Sequence, residues 1–93
     1  MRKIEITWTT LAGTGTPYHG TARIYTGSGI DYTEVSSIGI RRDEDAFVTL
    51  PASGQAFQPD TVLDTDRTEL SEMADEYYNG TNTSGVMWRI VQD

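Results

Sequence analysis

Seven carboxylates between residues 60 and 76 are the side chains whose type and spacing could do chemistry. Arg67 is the single cation among them, so this segment has a net charge of −6, whereas the rest of the chain contributes −1. Carboxylates at this density could bind a divalent cation, exchange protons at a catalytic site, or present a negative surface to a basic partner. The seven are Asp60, Asp64, Asp66, Glu69, Glu72, Asp75 and Glu76.

A metal site is the first chemistry to test. Asp64 and Asp66 have the spacing that opens a calcium-binding loop, but the glycine at the sixth position and the glutamate at the twelfth are missing. Zinc is excluded more firmly, because the chain has no cysteine and one histidine. We therefore predict no metal ion and no cofactor.

Catalysis would have to depend on His19, the only histidine. It lies in a Pro-Tyr-His-Gly segment with no Gly-x-Ser-x-Gly nucleophile motif anywhere in the chain. Paired-carboxylate hydrolysis needs two acids across a cleft, and a chain of 93 residues leaves little room for one. We predict that the protein is not an enzyme; an enzyme would require a pocket that joins His19 to a carboxylate.

The acidic segment overlaps the only stretch with a clear helical period, from Asp66 to Gly80. Apolar residues recur there at spacings of three and four, which places them on one face of a helix and the acids on the other. Asp66 and Glu69 predict a capping box, and Gly80 predicts a left-handed C-terminal residue. We expect one amphipathic helix over about residues 67–79. Its apolar stripe is Leu70, Met73, Ala74 and Tyr77.

Alternating apolar and polar residues elsewhere predict strands with one buried face. Residues 3–10 alternate without interruption, and residues 86–91 form the final strand. Because turns rather than helices separate the earlier strands, the fold class is α+β: an antiparallel meander of four or five strands with the helix packed on one face.

Cross-strand matching of apolar residues predicts the two hairpin turns. A three-residue turn at 27–29 places Ile24 opposite Tyr32, and a three-residue turn at 43–45 places Ile40 opposite Val48. Both registers keep one face continuously apolar, which is why we prefer them.

These registers divide the apolar residues between the two faces of the sheet. Predicted to face the helix are Ile4, Ile6, Trp8, Ile24, Tyr32, Ile38, Ile40, Val48, Leu50, Val86, Trp88 and Ile90. Left on the second face are Tyr25, Val35, Phe47, Met87 and Val91. The irregular segment 51–65 either covers this second face or leaves it partly exposed, and an exposed apolar face would indicate a dimer or a partner-binding surface.

The composition indicates one small acidic domain over residues 1–93, with a net charge of −7. No charged-then-apolar leader and no long apolar run is present, so we expect a cytoplasmic protein without membrane contact. Its seven cations are scattered, and direct binding to nucleic acid is therefore not expected.

In general character the chain resembles the small acidic proteins that phages and other mobile elements use against host defences, including anti-CRISPR and anti-restriction proteins. The resemblance lies in size, acidity, lack of cysteine and a strand-rich plan with one helix. It implies a non-enzymatic inhibitor, acting in the host cytoplasm, whose acidic surface imitates nucleic acid and blocks a basic site of a protein or nucleoprotein complex. The predicted contact residues are Asp64, Asp66, Glu69, Glu72, Asp75 and Glu76.

Two alternatives remain open. The acidic helix face could serve solubility alone, since every surface helix needs a polar side. Alternatively, the protein could be a structural or assembly component, of virion or scaffold type, that forms a homodimer through the uncovered sheet face. That face would contain Tyr25, Phe47, Met87 and Val91. Salt should weaken binding to a basic partner but leave such self-association unchanged.

Overall fold

The computed structural model describes residues 1–50 and 63–92, apart from the side chain of residue 50. Within these residues the chain forms five strands and one helix. They are β1 (Arg2–Trp8), β2 (Tyr18–Ser28), β3 (Asp31–Arg42), β4 (Phe47–Leu50), α1 (Asp64–Asn79) and β5 (Val86–Val91). The irregular segment predicted at 51–65 lies, up to residue 62, outside the described residues.

The sheet is antiparallel throughout. β1 to β4 form a meander in which each strand pairs with the one before it, and β5 then pairs with β1. The order across the sheet is therefore β4-β3-β2-β1-β5, with β4 and β5 at its edges. The helix lies on one face, here called the inner face. This arrangement confirms the predicted α+β fold.

The helix forms where the apolar period predicted it, but it begins at Asp64 rather than near residue 67. Leu63 occupies the N-cap position, so the prediction of Asp66 as the cap was wrong. Asp66 is the third helical residue, and its carboxylate accepts a hydrogen bond from the Leu63 N–H at 3.0 Å. Gly80 ends the helix with a φ of 80°, the left-handed conformation that was predicted.

The core lies between the helix and the inner face. All four residues of the predicted stripe are buried there. At one end of the core the rings of Trp8 and Tyr77 stack with centroids 4.3 Å apart, and Tyr18 meets Tyr77 edge-on. The strands contribute Ile4, Ile6, Trp8, Tyr18, Ala22, Ile24, Ile38, Ile40 and Met87.

The predicted orientation of β5 was wrong. Met87 lies opposite Ile6 and is buried beneath the helix, whereas Val86, Trp88 and Ile90 point to the outer face, the side without the helix. Both alternating sets of this strand are largely apolar, so hydrophobic alternation does not distinguish the two orientations. The only charged residue of the strand, Arg89, lies on the inner face because glutamates of the helix bind it there.

The predicted turn between β2 and β3 was also wrong. β2 continues to Ser28, which pairs with Asp31, so only residues 29 and 30 form the turn. Tyr32 lies opposite Gly27 on the outer face. A bulge next to Tyr25 then shifts the register, so that Ile24 lies opposite Ser36 rather than Tyr32. The predicted register matched apolar residues across the strands without this shift.

The turn between β3 and β4 closes differently from the prediction. The Asp43 N–H donates to the Ala46 carbonyl at 3.0 Å, and Arg42 pairs with Phe47 rather than with Ala46. Consequently Ile40 lies opposite Thr49, Phe47 packs against the core on the inner face, and Val48 lies on the outer face. The Asp43 side chain stabilises this turn, because its carboxylate accepts hydrogen bonds from the N–H groups of residues 45 and 46.

Candidate protein-binding surfaces

The six predicted contact residues occupy three different environments. Asp66 is fully buried, and Arg2 Nε donates to its two carboxylate oxygens at 2.9 and 3.0 Å. This carboxylate therefore stabilises the junction of β1 and the start of the helix rather than lying on the surface. Asp64, in the first turn, is exposed.

Arg89 reaches from β5 into the acidic helix face, defined here as Glu69, Glu72, Asp75 and Glu76. Its Nη1 donates to Glu69 at 2.7 Å and to Glu72 at 3.2 Å, and its Nη2 donates to Glu76. The hydrogen bond to Glu69, together with the negative charge of Glu76, raises the pKa of Arg89 above its ordinary value. The Arg89 guanidinium thus forms ion pairs with three of the four acids of this face.

Asp75, the fourth acid, also has an internal partner. Arg42 Nε of β3 donates to Asp75 at 2.9 Å, and its guanidinium lies over the Tyr78 ring at 4.2 Å from the centroid. Glu72 and Asp75 nevertheless keep side-chain exposures of 57% and 49%. The acidic helix face is thus partly neutralised within the molecule. Glu72 and Asp75 are its two most exposed carboxylates.

The described residues hold no group of three or more acidic or histidine side chains placed to bind a metal ion. His19 is exposed on β2, opposite Arg41. Asp60, the first of the seven acids, lies outside the described residues.

The outer face carries an apolar surface whose residues the sequence pattern assigned to other positions. The exposed fractions of Ile30, Trp88 and Val86 are 97%, 61% and 54%. Ile30 and Trp88 border an open depression of about 500 Å³. Its lining, here called the outer patch, consists of Met1, Lys3, Gly29, Ile30, Tyr32, Trp88 and Ile90.

Among the residues that line the outer patch, Lys3 has the only charged side chain. Lys3 lies over the rings of Tyr25 and Trp88, with its ammonium 5.5 and 5.7 Å from their centroids. Charge pairs begin beside the patch, where Arg23 lies 3.8 Å from Glu5 and 3.5 Å from Glu34. Burial, followed by the charges of Glu5 and Glu34, raises the pKa of Tyr25.

The predicted dimer face is corrected accordingly. Of its four residues Tyr25 alone lies on the outer face, since Met87 is buried in the core and Phe47 and Val91 pack against it. The true exposed residues were missed because the phase of β5 was inverted. The pairing of a charged residue with the helix acids was the available signal: Arg89 on the inner face requires Trp88 and Ile90 on the outer one.

No described helix has the length and apolar character needed to cross a membrane. The chain matches no protein-family model, no curated protein and no solved structure.

Proposed function

We propose that this protein is a non-enzymatic assembly protein that associates with a second copy of itself through the outer patch. The exposure of Trp88 on a sheet face that no described element covers is the observation that supports this most directly. Large aromatic residues dominate the binding energy of protein interfaces, and exposing one to water in a free monomer costs free energy.

Charge opposes the approach of two copies over most of their surfaces but not at the outer patch. The chain has a net charge of −7, so two copies repel each other over most of their surfaces. No carboxylate lines the outer patch, and Glu5, which lies opposite Trp88, pairs with Arg23, so two copies repel each other less here than across an acidic surface. The outer-patch residues Trp88 and Ile90 belong to β5, an edge strand of the sheet, where identical residues of two copies can meet across a two-fold axis.

Sedimentation velocity over about a hundredfold range of concentration tests this function. Wild type should shift from monomer to dimer, and Trp88→Lys should weaken dimerisation by at least about tenfold, because it buries two like charges. Leu11→Lys is the matched control: Leu11 is 76% exposed but lies outside the patch, so this variant should dimerise as wild type does. A wild type that stays monomeric, or equal effects of both variants, would contradict the proposal.

A second candidate function is the acidic inhibitor of a basic nucleic-acid-binding site. The exposure of Glu72 and Asp75 supports it, because both carboxylates remain open to a cationic partner. Reversing Glu69, Glu72 and Glu76 to lysine is an unsuitable test, since it would surround Arg89 with like charges. Amide substitutions remove the charge and preserve the hydrogen-bond acceptors.

The inhibitor test therefore compares two triple variants of equal charge. Asp64→Asn/Glu72→Gln/Asp75→Asn neutralises the helix side, and Glu34→Gln/Glu44→Gln/Asp45→Asn neutralises exposed acids elsewhere. Immobilised wild type should retain a nucleic-acid-binding protein that single-stranded DNA displaces, the first variant should lose it, and the second should keep it. Equal retention by both variants would exclude the exposed carboxylates Glu72 and Asp75 as the contact and contradict this candidate function.

A further inference from the structure

We propose that two copies join along the open edge of β5, in an antiparallel pairing that places Trp88 opposite Trp88 of the second copy and forms one continuous ten-stranded sheet. This inference rests on the proposed function and specifies the geometry of its contact. It starts from the position of β5, which pairs with β1 on one side and has no described strand on the other.

The backbone phase of β5 determines which groups point to that edge. Hydrogen-bonded and non-bonded pairs alternate along an antiparallel ladder, and the Trp8 N–H donates to the Gly85 carbonyl at 2.8 Å. The bonded residues of β5 are therefore Met87, Arg89 and Val91. The N–H and C=O groups of Val86, Trp88 and Ile90 consequently face the open edge, where they can bond to another strand.

The edge has few of the features that normally prevent pairing. Its sequence, VMWRIV, contains no proline, glycine or lysine, and its register with β1 is regular over six residues. Its one charged residue, Arg89, lies on the inner face, where Glu69 and Glu76 of the helix already bind it. The opposite edge strand, β4, has four residues within the described part of the chain, whereas β5 has six. Of these two described edges, β5 is thus the longer template for an added strand.

Symmetry and side-chain chemistry select one register. In a two-fold antiparallel pair a single residue faces its own copy, and the neighbours on either side pair reciprocally. With Trp88 at the centre, Val86 lies opposite Ile90 of the second copy, so all three exposed apolar residues are matched. Centring on Arg89 would place two guanidinium groups opposite each other, and centring on Met87 would place Ile90 opposite Ser84.

The same three residues supply both the open backbone groups and the exposed side chains. Pairing them therefore forms six backbone hydrogen bonds and buries apolar surface in one step. The two-fold axis is perpendicular to the sheet, so the outer patches of both copies become neighbours on one face and both helices lie on the other. Backbone phase, side-chain exposure and two-fold symmetry thus all favour the same pairing of β5.

Disulfide trapping tests the register in a chain that has no cysteine of its own. Val86→Cys/Ile90→Cys keeps Trp88 and places each cysteine opposite its counterpart, with Cα atoms about 5.5 Å apart, within disulfide reach. In each single variant the two cysteines lie about 14 Å apart, which a disulfide cannot span. In a glutathione redox buffer the double variant should become a covalent dimer and both single variants should remain mostly uncrosslinked.

Amide hydrogen exchange gives a second, independent measurement on wild type. In dilute solution the amides of Trp88 and Ile90 should exchange rapidly while those of Met87 and Arg89 are protected by β1. At high concentration the first pair should gain protection of at least about tenfold. Unchanged exchange at Trp88 in a sample that sedimentation shows to be dimeric would overturn the edge pairing.

The outcomes separate the inference from the function on which it rests. A dimer that depends on Trp88 but gives no preferential cross-linking of the double variant would overturn the β5 register and leave assembly through the outer patch standing. A protein that is monomeric at every concentration would overturn both. Preferential cross-linking together with concentration-dependent protection establishes the pairing.

Discussion

Asp66 is the only charged or polar residue that is buried among the described residues. Its carboxylate combines two roles, since it pairs with Arg2 of β1 and accepts a hydrogen bond from the N–H of the N-cap residue Leu63. An acid near a helix start looks from sequence like a cap or a surface charge. Burial depends on the strand that the tertiary fold brings to it, so sequence reasoning assigned this residue to the binding surface.

Replacing Asp66 by alanine should lower the free energy of unfolding by about 3 kcal/mol, because it removes the buried counter-charge of Arg2 and the acceptor of the Leu63 N–H. Urea denaturation followed by circular dichroism measures the change. Glu72→Ala is the control and should cost under about 1 kcal/mol, since Glu72 is largely exposed. Equal losses in the two variants would show that the Arg2 pair contributes nothing to stability.

Asp43 gives a pH prediction. Hydrogen bonds from the N–H groups of Ala46 and Asp45 lower the pKa of Asp43 below its ordinary value. A depressed pKa in the folded state means a stabilising contribution that is complete above the unfolded pKa of about 3.9 and is lost as the pH falls through the folded pKa.

The stability difference between wild type and Asp43→Ala should therefore be constant above about pH 5 and shrink below about pH 4. Chemical denaturation across this range measures it, and NMR titration of the Asp43 carboxyl carbon gives the folded pKa directly. A difference that grows on acidification would contradict the assigned hydrogen bonds.

At the scale of elements, the β2–β3 hairpin depends on two glycines with different constraints. Gly27 has a φ of 151°, and a Cβ there would overlap the carbonyl of Asp31 and lie 2.9 Å from the Tyr32 Cα. Gly29 has a φ of 60°, and the space that a Cβ would occupy there is open. The first requires glycine for space and conformation, the second for conformation alone.

Gly27→Ala should therefore destabilise the protein by at least about 2 kcal/mol, and Gly29→Ala by only about 1 kcal/mol. Thermal unfolding of the two variants side by side provides the comparison, and Gly29→Asn should recover part of the smaller loss because asparagine tolerates the left-handed conformation. Equal melting temperatures for the two alanine variants would refute the assigned hairpin turn.

At the scale of the whole molecule, salt distinguishes the two candidate functions. In the proposed β5-paired dimer both acidic helix faces lie on the same side of the joined sheet, and each copy has a net charge of −7. Raising the salt concentration from about 0.05 to about 0.5 M screens this repulsion, so self-association should strengthen rather than stay unchanged as the sequence alone suggested. Binding of a basic partner to the acidic helix face should weaken over the same range.

Sedimentation equilibrium at both salt concentrations measures the first effect on wild type. Trp88→Lys should remain mainly monomeric at both, which controls for non-specific salting-out. Self-association that disappears at high salt would indicate contacts between opposite charges and would contradict the apolar outer patch.

The sequence by itself determined the fold class, the helix and its buried stripe, and the buried phase of β1. Each of these rests on a periodic pattern with one apolar and one polar face, which allows only one orientation toward a core. The sequence also determined where the helix ends, because the left-handed backbone at Gly80 depends on the type of that one residue.

Only the tertiary structure decided the two turns, the phase of β5 and the partners of the acids. The bulge next to Tyr25 and the turn that the Asp43 side chain closes each shift the strand pairing by one residue. A shift of one residue moves side chains from one face of the sheet to the other. In β5 both faces are apolar enough to be buried, and the choice depends on where Arg89 meets the helix glutamates. With Arg89 on the inner face, Trp88 must lie on the outer face and is exposed. The candidate binding surface therefore depends on a contact between β5 and the helix, which a local sequence pattern cannot show.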